Sequence, residues 1–241
     1  MTTPMRRLRA RGLSLVELMV GVAVGLFVVA AATVMVSSQL GENRRLLLES
    51  QLQQDLRATA DIITRELRRS GGLIQAQVLV ASASTPAAHN AQAVVTPSSG
   101  PSSPADVSFK YERTSILQGP WGFKLENGII KTQVINSSTG ASLGWQDLTD
   151  GSVMEVTQFS VTVNRFPPAG QPAVEVPCPK LCPGGGTACW PAVYVRDFVV
   201  QISARLRTAP EVQRTVRAQV RARNDLMEFR TGGSPPAACP A

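Results

Sequence analysis

Hydrophobic positions along the chain fall into three regimes. From Leu13 to Val36 there are 24 consecutive residues in which Glu17 is the only charge, Ser14 and Thr33 are the only hydroxyls, and proline is absent. At 1.5 Å per residue this is enough helix to cross about 30 Å of hydrocarbon. After Val36 no proline occurs until Pro86, but the apolar residues thin out to one face. Leu48, Leu52, Leu56, Ile63 and Leu67 recur at helical spacing, and Arg45, Glu49, Arg57, Asp61, Arg65 and Arg68 supply the polar side. Gly71 and Gly72, preceded by Arg68 and Arg69, predict a helix C-cap in which the cations suit the negative end of the helix dipole.

In the third regime the period becomes two. The stretch "ASASTPAAHNAQAVVTPSSGPSSPADV" is rich in Ser, Pro and Ala and predicts a long loop. "DVSFKYERT" then places Val107, Phe109 and Tyr111 on one face, and "WGFKLENGIIKTQVI" breaks at Asn127-Gly128, a strong hairpin signal. "VMEVTQFSVTVNRF", "AVYVRDFVVQISARLR" and "RTVRAQVRARN" predict three further strands. The expected fold class is α+β, with an antiparallel sheet of four to six strands packed on the amphipathic half of the long helix.

Charge refines this picture. The chain carries 24 basic and 17 acidic residues, a net charge of +7, but Arg6, Arg7, Arg9 and Arg11 lie in the first twelve positions with no acid among them. Without that segment 20 basic residues face 17 acidic ones, so global basicity says little about partners. The arginines flank the apolar run and put its N-terminal end in the cytoplasm by the positive-inside rule, with everything past about residue 40 on the other side. A cleaved secretory signal has a shorter apolar core followed by a small-residue site. Here Gly12 precedes the apolar run, so a cut there keeps the helix on the mature chain.

The segment "RGLSLVELMV" resembles the class III signal of type IV prepilins: a basic leader ending in Gly12, a hydrophobic first mature residue Leu13, and an acid, Glu17, as the fifth. Many pilins have Phe where this chain has Leu13. The resemblance implies that prepilin peptidase cuts between Gly12 and Leu13 and methylates the new amino group of Leu13. It also implies that Glu17 meets the N-terminal amine of a neighbouring subunit, so that two charges costly in lipid neutralise each other as a filament grows. Gly21 and Gly25 form a GxxxG pair, which can bend a helix or let two helices approach.

Further along, "DLRATADIITRELRRSGG", "LTDGSVMEVTQFSVTVNRF" and the closing "TVRAQVRARND" resemble, in order, segments of PilW-type minor pilins. The resemblance implies a type IV pilin-like fold: leader 1–12, membrane or filament-core helix 13–36, amphipathic half 37–70, and a head 71–241 with loops at 81–105 and 166–191. It implies a minor pilin that initiates or caps a type IV pilus. Its partners would be other minor and major pilins through the N-terminal helix, prepilin peptidase, an inner-membrane assembly platform and a tip adhesin. Its location would be the bacterial inner membrane, head in the periplasm, and then the surface pilus. Two alternatives stay open: a J-like minor pseudopilin of type II secretion, which shares the architecture, and a signal-anchored periplasmic binding protein outside any filament.

The remaining chemistry is sparse. Cys178, Cys182, Cys189 and Cys239 are an even set outside the cytoplasm, which predicts two disulfides with three connectivities open. Their spacing is not a pair of C-x2-C motifs, and His89 is a lone loop histidine, so neither metal nor another cofactor is expected. In "RTVRAQVRARN", Val216, Ala218, Val220 and Ala222 alternate with Arg217, Gln219, Arg221 and Arg223, predicting a half-buried strand with one solvated face. No aromatic residue interleaves with these arginines to stack on bases, so DNA is not an expected partner. Phosphate-binding glycine loops with lysine, H-E-x-x-H and a serine nucleophile elbow are all missing, and the chain is expected to be no enzyme.

Overall fold

The computed structural model describes residues 14–79, 89–97, 100–101, 106–168 and 170–229. The chain divides at Leu47 and Leu48 into two units, Met1–Leu47 and Leu48–Ala241.

In the first unit the described residues form the first part of helix α1 (Leu15–Leu67), and every one of them is exposed. The helix starts behind Ser14, whose carbonyl accepts the first intrahelical bond from the Leu18 amide at 3.1 Å. As far as Val36 apolar side chains occupy its whole circumference, which marks a helix that needs an apolar surrounding on all sides. The Thr33 and Ser37 hydroxyls donate back to Val29 and Thr33 carbonyls at 2.8 and 3.1 Å, so neither is left unpaired in such a surrounding.

Burial begins in the second unit. Leu52, Leu56, Ile63 and Leu67 are 0% exposed and Leu48 is half-buried, as their spacing predicted, with Ala60 on the same face. At about 1.5–3 kcal/mol for each fully buried leucine or isoleucine, this face contributes on the order of 10 kcal/mol before ordering costs. The helix ends where the glycine pair stands: Gly71 takes φ +77°, and the Gly72 amide donates to the Arg69 carbonyl at 2.9 Å. The Gly71 amide donates to Lys110 and the Glu112 amide to Gly72, both at 2.8 Å, stitching the helix end to the chain after β3.

The strands are β1 (Val95–Thr96), β2 (Gly100–Pro101), β3 (Asp106–Phe109), β4 (Trp121–Glu126), β5 (Ile129–Ile135), β6 (Ser142–Asp147), β7 (Met154–Phe166), β8 (Val174–Glu175), β9 (Ala192–Leu206), β10 (Gln213–Arg221) and β11 (Leu226–Glu228). They make two antiparallel sheets where one was expected. The first has the order β1-β3-β4-β5-β6; the second runs β10-β9-β7-β2, with β8 and β11 also paired to β9. Both sheets and the helix share one core, in which Phe109, Phe123 and Ile130 of the first meet Phe159, Val161, Phe198 and Ile202 of the second. Alternation tells which side chains face that core, not which sheet carries them.

The β4–β5 hairpin turns at Asn127 (φ 54°) and Gly128 (φ 75°), two successive left-handed residues as a type I′ turn requires. In β7 the buried set Met154, Val156 slips to Phe159, Val161, Val163, because a bulge between Val156 and Gln158 inserts one residue. β6 was not expected: its sequence SLGWQD is almost wholly exposed and so lacks an alternating apolar signal. The expected loops also contain order, with a 3-10 turn at Ala91–Ala93, β1 and β2 in the first and β8 in the second.

Candidate assembly surface

The predicted leader residues Gly12 and Leu13 lie outside the described residues, and so does Cys239. Glu17 lies in the first turn of α1, exposed, with no hydrogen bond or ion pair among the described residues. The sequence reading missed one local feature: Ser14 and Glu17 stand at the S-x-x-E spacing of a capping box, and a carboxylate in the first turn suits the positive end of the helix dipole. One turn further, a side chain built at Gly21 or Gly25 would meet nothing within 4 Å, so that strip of helix is open to close approach.

The cysteines divide. Cys182 and Cys189 form a disulfide with their Cα atoms 5.7 Å apart, and Cys178 is also oxidised. The bridge closes a tight loop in which Gly184, Gly185 and Gly186 all have positive φ and the Gly185 amide donates to the Cys182 carbonyl at 2.9 Å. Trp190 Nε1 donates to the Lys180 carbonyl at 3.1 Å, closing the base of this turn-rich segment. Among the described residues no group of three or more His, Cys, Asp or Glu side chains is gathered. His89 instead lies with its ring 6.4 Å from that of Phe229.

β10 has the expected two faces. Val216, Ala218 and Val220 pack toward the core, whereas Arg217, Gln219 and Arg221 are exposed.

Two charged clusters were not anticipated. In the first, Glu66 near the end of α1 holds three partners. Its Oε1 accepts from Arg69 at 3.0 Å, and its Oε2 accepts from Arg113 at 3.0 Å and from the Tyr111 hydroxyl. Arg113 Nε also donates to the Tyr111 oxygen at 2.8 Å, and its guanidinium lies 4.3 Å above the Trp121 ring. Burial, then the Glu66 carboxylate, push the Tyr111 phenol above its usual range. For Arg113 burial acts downward, but Tyr111 and Glu66 outweigh it and raise the guanidinium.

The second cluster centres on Arg196, which is only 2% exposed. Even-numbered residues of β9 from Phe198 to Leu206 face the core, and Arg196 is in phase with them. Its Nη1 donates to the Ala93 carbonyl at 2.6 Å, while Nε and Nη2 have no partner among the described residues. Nη2 lies 3.4 Å from where a Gly71 Cβ would be, so the cation sits by the C-terminal end of α1, where the helix dipole favours it. Burial, and then Arg165, lower its pKa to about 10, although Asp225 and Glu228 pull the other way. Those carboxylates have nearer partners: Glu228 pairs with Arg165 at 2.6 Å and Asp225 with Arg221 at 3.3 Å.

The surface that could carry function is therefore a membrane-length apolar helix bearing one acid, together with a β-rich head whose charged groups bind one another. A family model described as prepilin peptidase-dependent protein B matches residues 45–222, well over half of the chain. No curated protein and no solved structure matches significantly. The matched residues cover the helix from Arg45 onward and the strands β1 to β10, and on that evidence the chain belongs to the prepilin peptidase-dependent protein B family.

Proposed function

We propose that this chain is a minor pilin, made as a prepilin, that joins other pilins through its N-terminal helix to start or cap a type IV pilus. The observation that carries the reading is the helix segment from Leu15 to Val36: apolar around its circumference, unburied, with Glu17 in its first turn. A carboxylate there is costly in hydrocarbon unless another molecule supplies a cation, and the methylated amine of a cleaved neighbour is such a cation. The family description names dependence on prepilin peptidase, and the leader pattern "RGLSLVE" lies outside the matched residues 45–222, so the two supports are independent. On this reading the protein waits in the inner membrane with its head in the periplasm, moves into the pilus by way of the assembly platform, and works by association, not catalysis.

Intact mass of the membrane-extracted protein tests the proposal. Loss of residues 1–12 with gain of one methyl group is expected; an intact leader would refute it. Glu17→Ala should be cleaved normally yet fail to enter pili, and normal incorporation would remove the role given to Glu17. Deletion of the protein should abolish surface pili; loss of protein export with pili intact would assign it to a secretion system instead.

A further inference from the structure

Beside the Glu66 cluster, on the head, is a cavity of about 460 Å³ lined by Arg69, Gly72, Leu73, Tyr111, Glu112, Arg113, Arg223 and Asn224. We infer that this cavity is a docking site for an acidic segment of a partner chain, whose carboxylates it takes between Arg69, Arg113 and Arg223. The inference rests on the assembly role proposed above only in that it needs a partner chain.

Three observations carry it. The first is local charge: Arg69 and Arg113 share the single carboxylate of Glu66, and the Arg223 side chain makes no hydrogen bond or ion pair among the described residues. Glu112 is the acid in the wall itself, and its Oε2 accepts from the Ile74 amide at 3.1 Å. Three guanidinium groups thus share two nearby carboxylates, Glu112 in the wall and Glu66 beside it, leaving donors in excess. The second is preorganisation. Arg113 is fixed by Tyr111, Glu66 and the Trp121 ring, and Arg223 is anchored through its amide, which donates to the Arg68 carbonyl at 3.0 Å. A guanidinium held in place as that of Arg113 is loses little freedom on pairing with a carboxylate. The third is shape: a Cβ at Gly72 would stand 2.9 Å from the Arg69 carbonyl, so glycine lets the helix end fold tightly against the cavity wall. A second copy of this chain, which without residues 1–12 still has 20 basic against 17 acidic residues and so no net negative charge, is a poorer electrostatic match than an acidic partner.

The test is fluorescence anisotropy of a labelled, end-blocked hexapeptide of Asp and Glu, titrated with the full chain in neutral detergent micelles at low salt. A hexapeptide of Asn and Gln is the control. Binding of the acidic peptide alone is expected, weakened about fivefold by Arg223→Ala or Arg69→Ala, the scale of one partly exposed ion pair. Arg217→Ala, on the exposed face of β10, should leave it unchanged, and unaltered tryptophan emission checks that each variant is folded. Equal weakening by Arg217→Ala would show general basicity and overturn the site. Displacement by inorganic phosphate at the peptide's own concentration would make it a simple anion site and overturn the docking segment, as would no binding at all. The intact-mass test of the leader does not depend on any of these results, so failure here leaves the prepilin reading standing.

Discussion

Replacing Arg196 by methionine should leave the stability of the head almost unchanged, although it deletes a buried charge from the centre of a strand. The depression of its pKa from the ordinary guanidinium range to about 10 corresponds, at about 1.4 kcal/mol per unit, to about 3 kcal/mol held against the folded state. The sign follows from linkage. The folded form gives up the proton before the unfolded form does, so the penalty is full below about pH 10 and is relieved as pH rises from there toward the ordinary guanidinium range. Against this stand the charge-assisted bond to the Ala93 carbonyl, worth about 2–3 kcal/mol, and the favourable position at the end of α1, worth up to about 1 kcal/mol. The terms nearly cancel, and methionine fills most of the volume, so Arg196→Met should shift stability by no more than about 1 kcal/mol either way. Arg196→Ala loses the same interactions and also leaves a void in a close-packed interior, so it should cost about 2–4 kcal/mol more. Urea unfolding of the full chain in micelles, followed by tryptophan emission, measures both, because Trp121, Trp145 and Trp190 all lie beyond Leu48. A loss above about 3 kcal/mol in the methionine variant would refute the reasoning, since it would make the guanidinium a net stabiliser. Equal losses in the two variants would refute the packing part.

Three other outcomes are expected. Leu56→Ala should destabilise the head by about 2–5 kcal/mol in the same urea assay, because Leu56 is fully buried between the helix and the sheets. Gly128→Ala should cost about 1–2 kcal/mol, since alanine at φ 75° is strained and its Cβ would stand 2.9 Å from Glu155 Cγ. In a Tyr194→Phe background, where Tyr111 is the remaining tyrosine, absorbance at 295 nm should show its phenol ionising above the ordinary value of 10. Glu66→Gln should bring that midpoint down. Because the folded value is the raised one, the stabilisation is complete below pH 10 and is lost as pH climbs through the Tyr111 transition, which urea midpoints on either side of it would register.

The helix and its buried face were legible in the sequence because their signal is local. Leu52, Leu56, Ile63 and Leu67 repeat within one element, and Gly71 marks its end. The Asn127-Gly128 turn was legible for the same reason, since two left-handed residues in succession admit few amino acids. The division of the strands into two sheets was not. β3 through β5 and β7 through β10 show the same alternation toward one core, and the pairing that separates them joins residues far apart in the chain. β6 escaped because an edge strand with Leu143 and Trp145 both turned outward has no buried face to betray it.

Glu17 and Arg196 pose the same physical problem, a charge where apolar groups are expected, yet only one of them was visible. A single acid in a run of 24 residues with no other charge is conspicuous, and its cost can be judged from the sequence alone. Arg196 follows a run with Tyr194 and Val195 and precedes Asp197, so nothing nearby announces that it faces inward; only its even phase with Phe198, Val200 and Ile202 does. What relieves it lies 103 residues away at Ala93 and farther still at Gly71, contacts that only the folded chain can assemble. That difference bears on function. The conflict at Arg196 is met within the head, by a carbonyl and a helix end, and so gives a structural residue. The conflict at Glu17 is met by nothing among the described residues, and a second molecule that brings a cation would answer it. The proposed role for Glu17 in subunit assembly therefore rests on a carboxylate left unpaired among those residues.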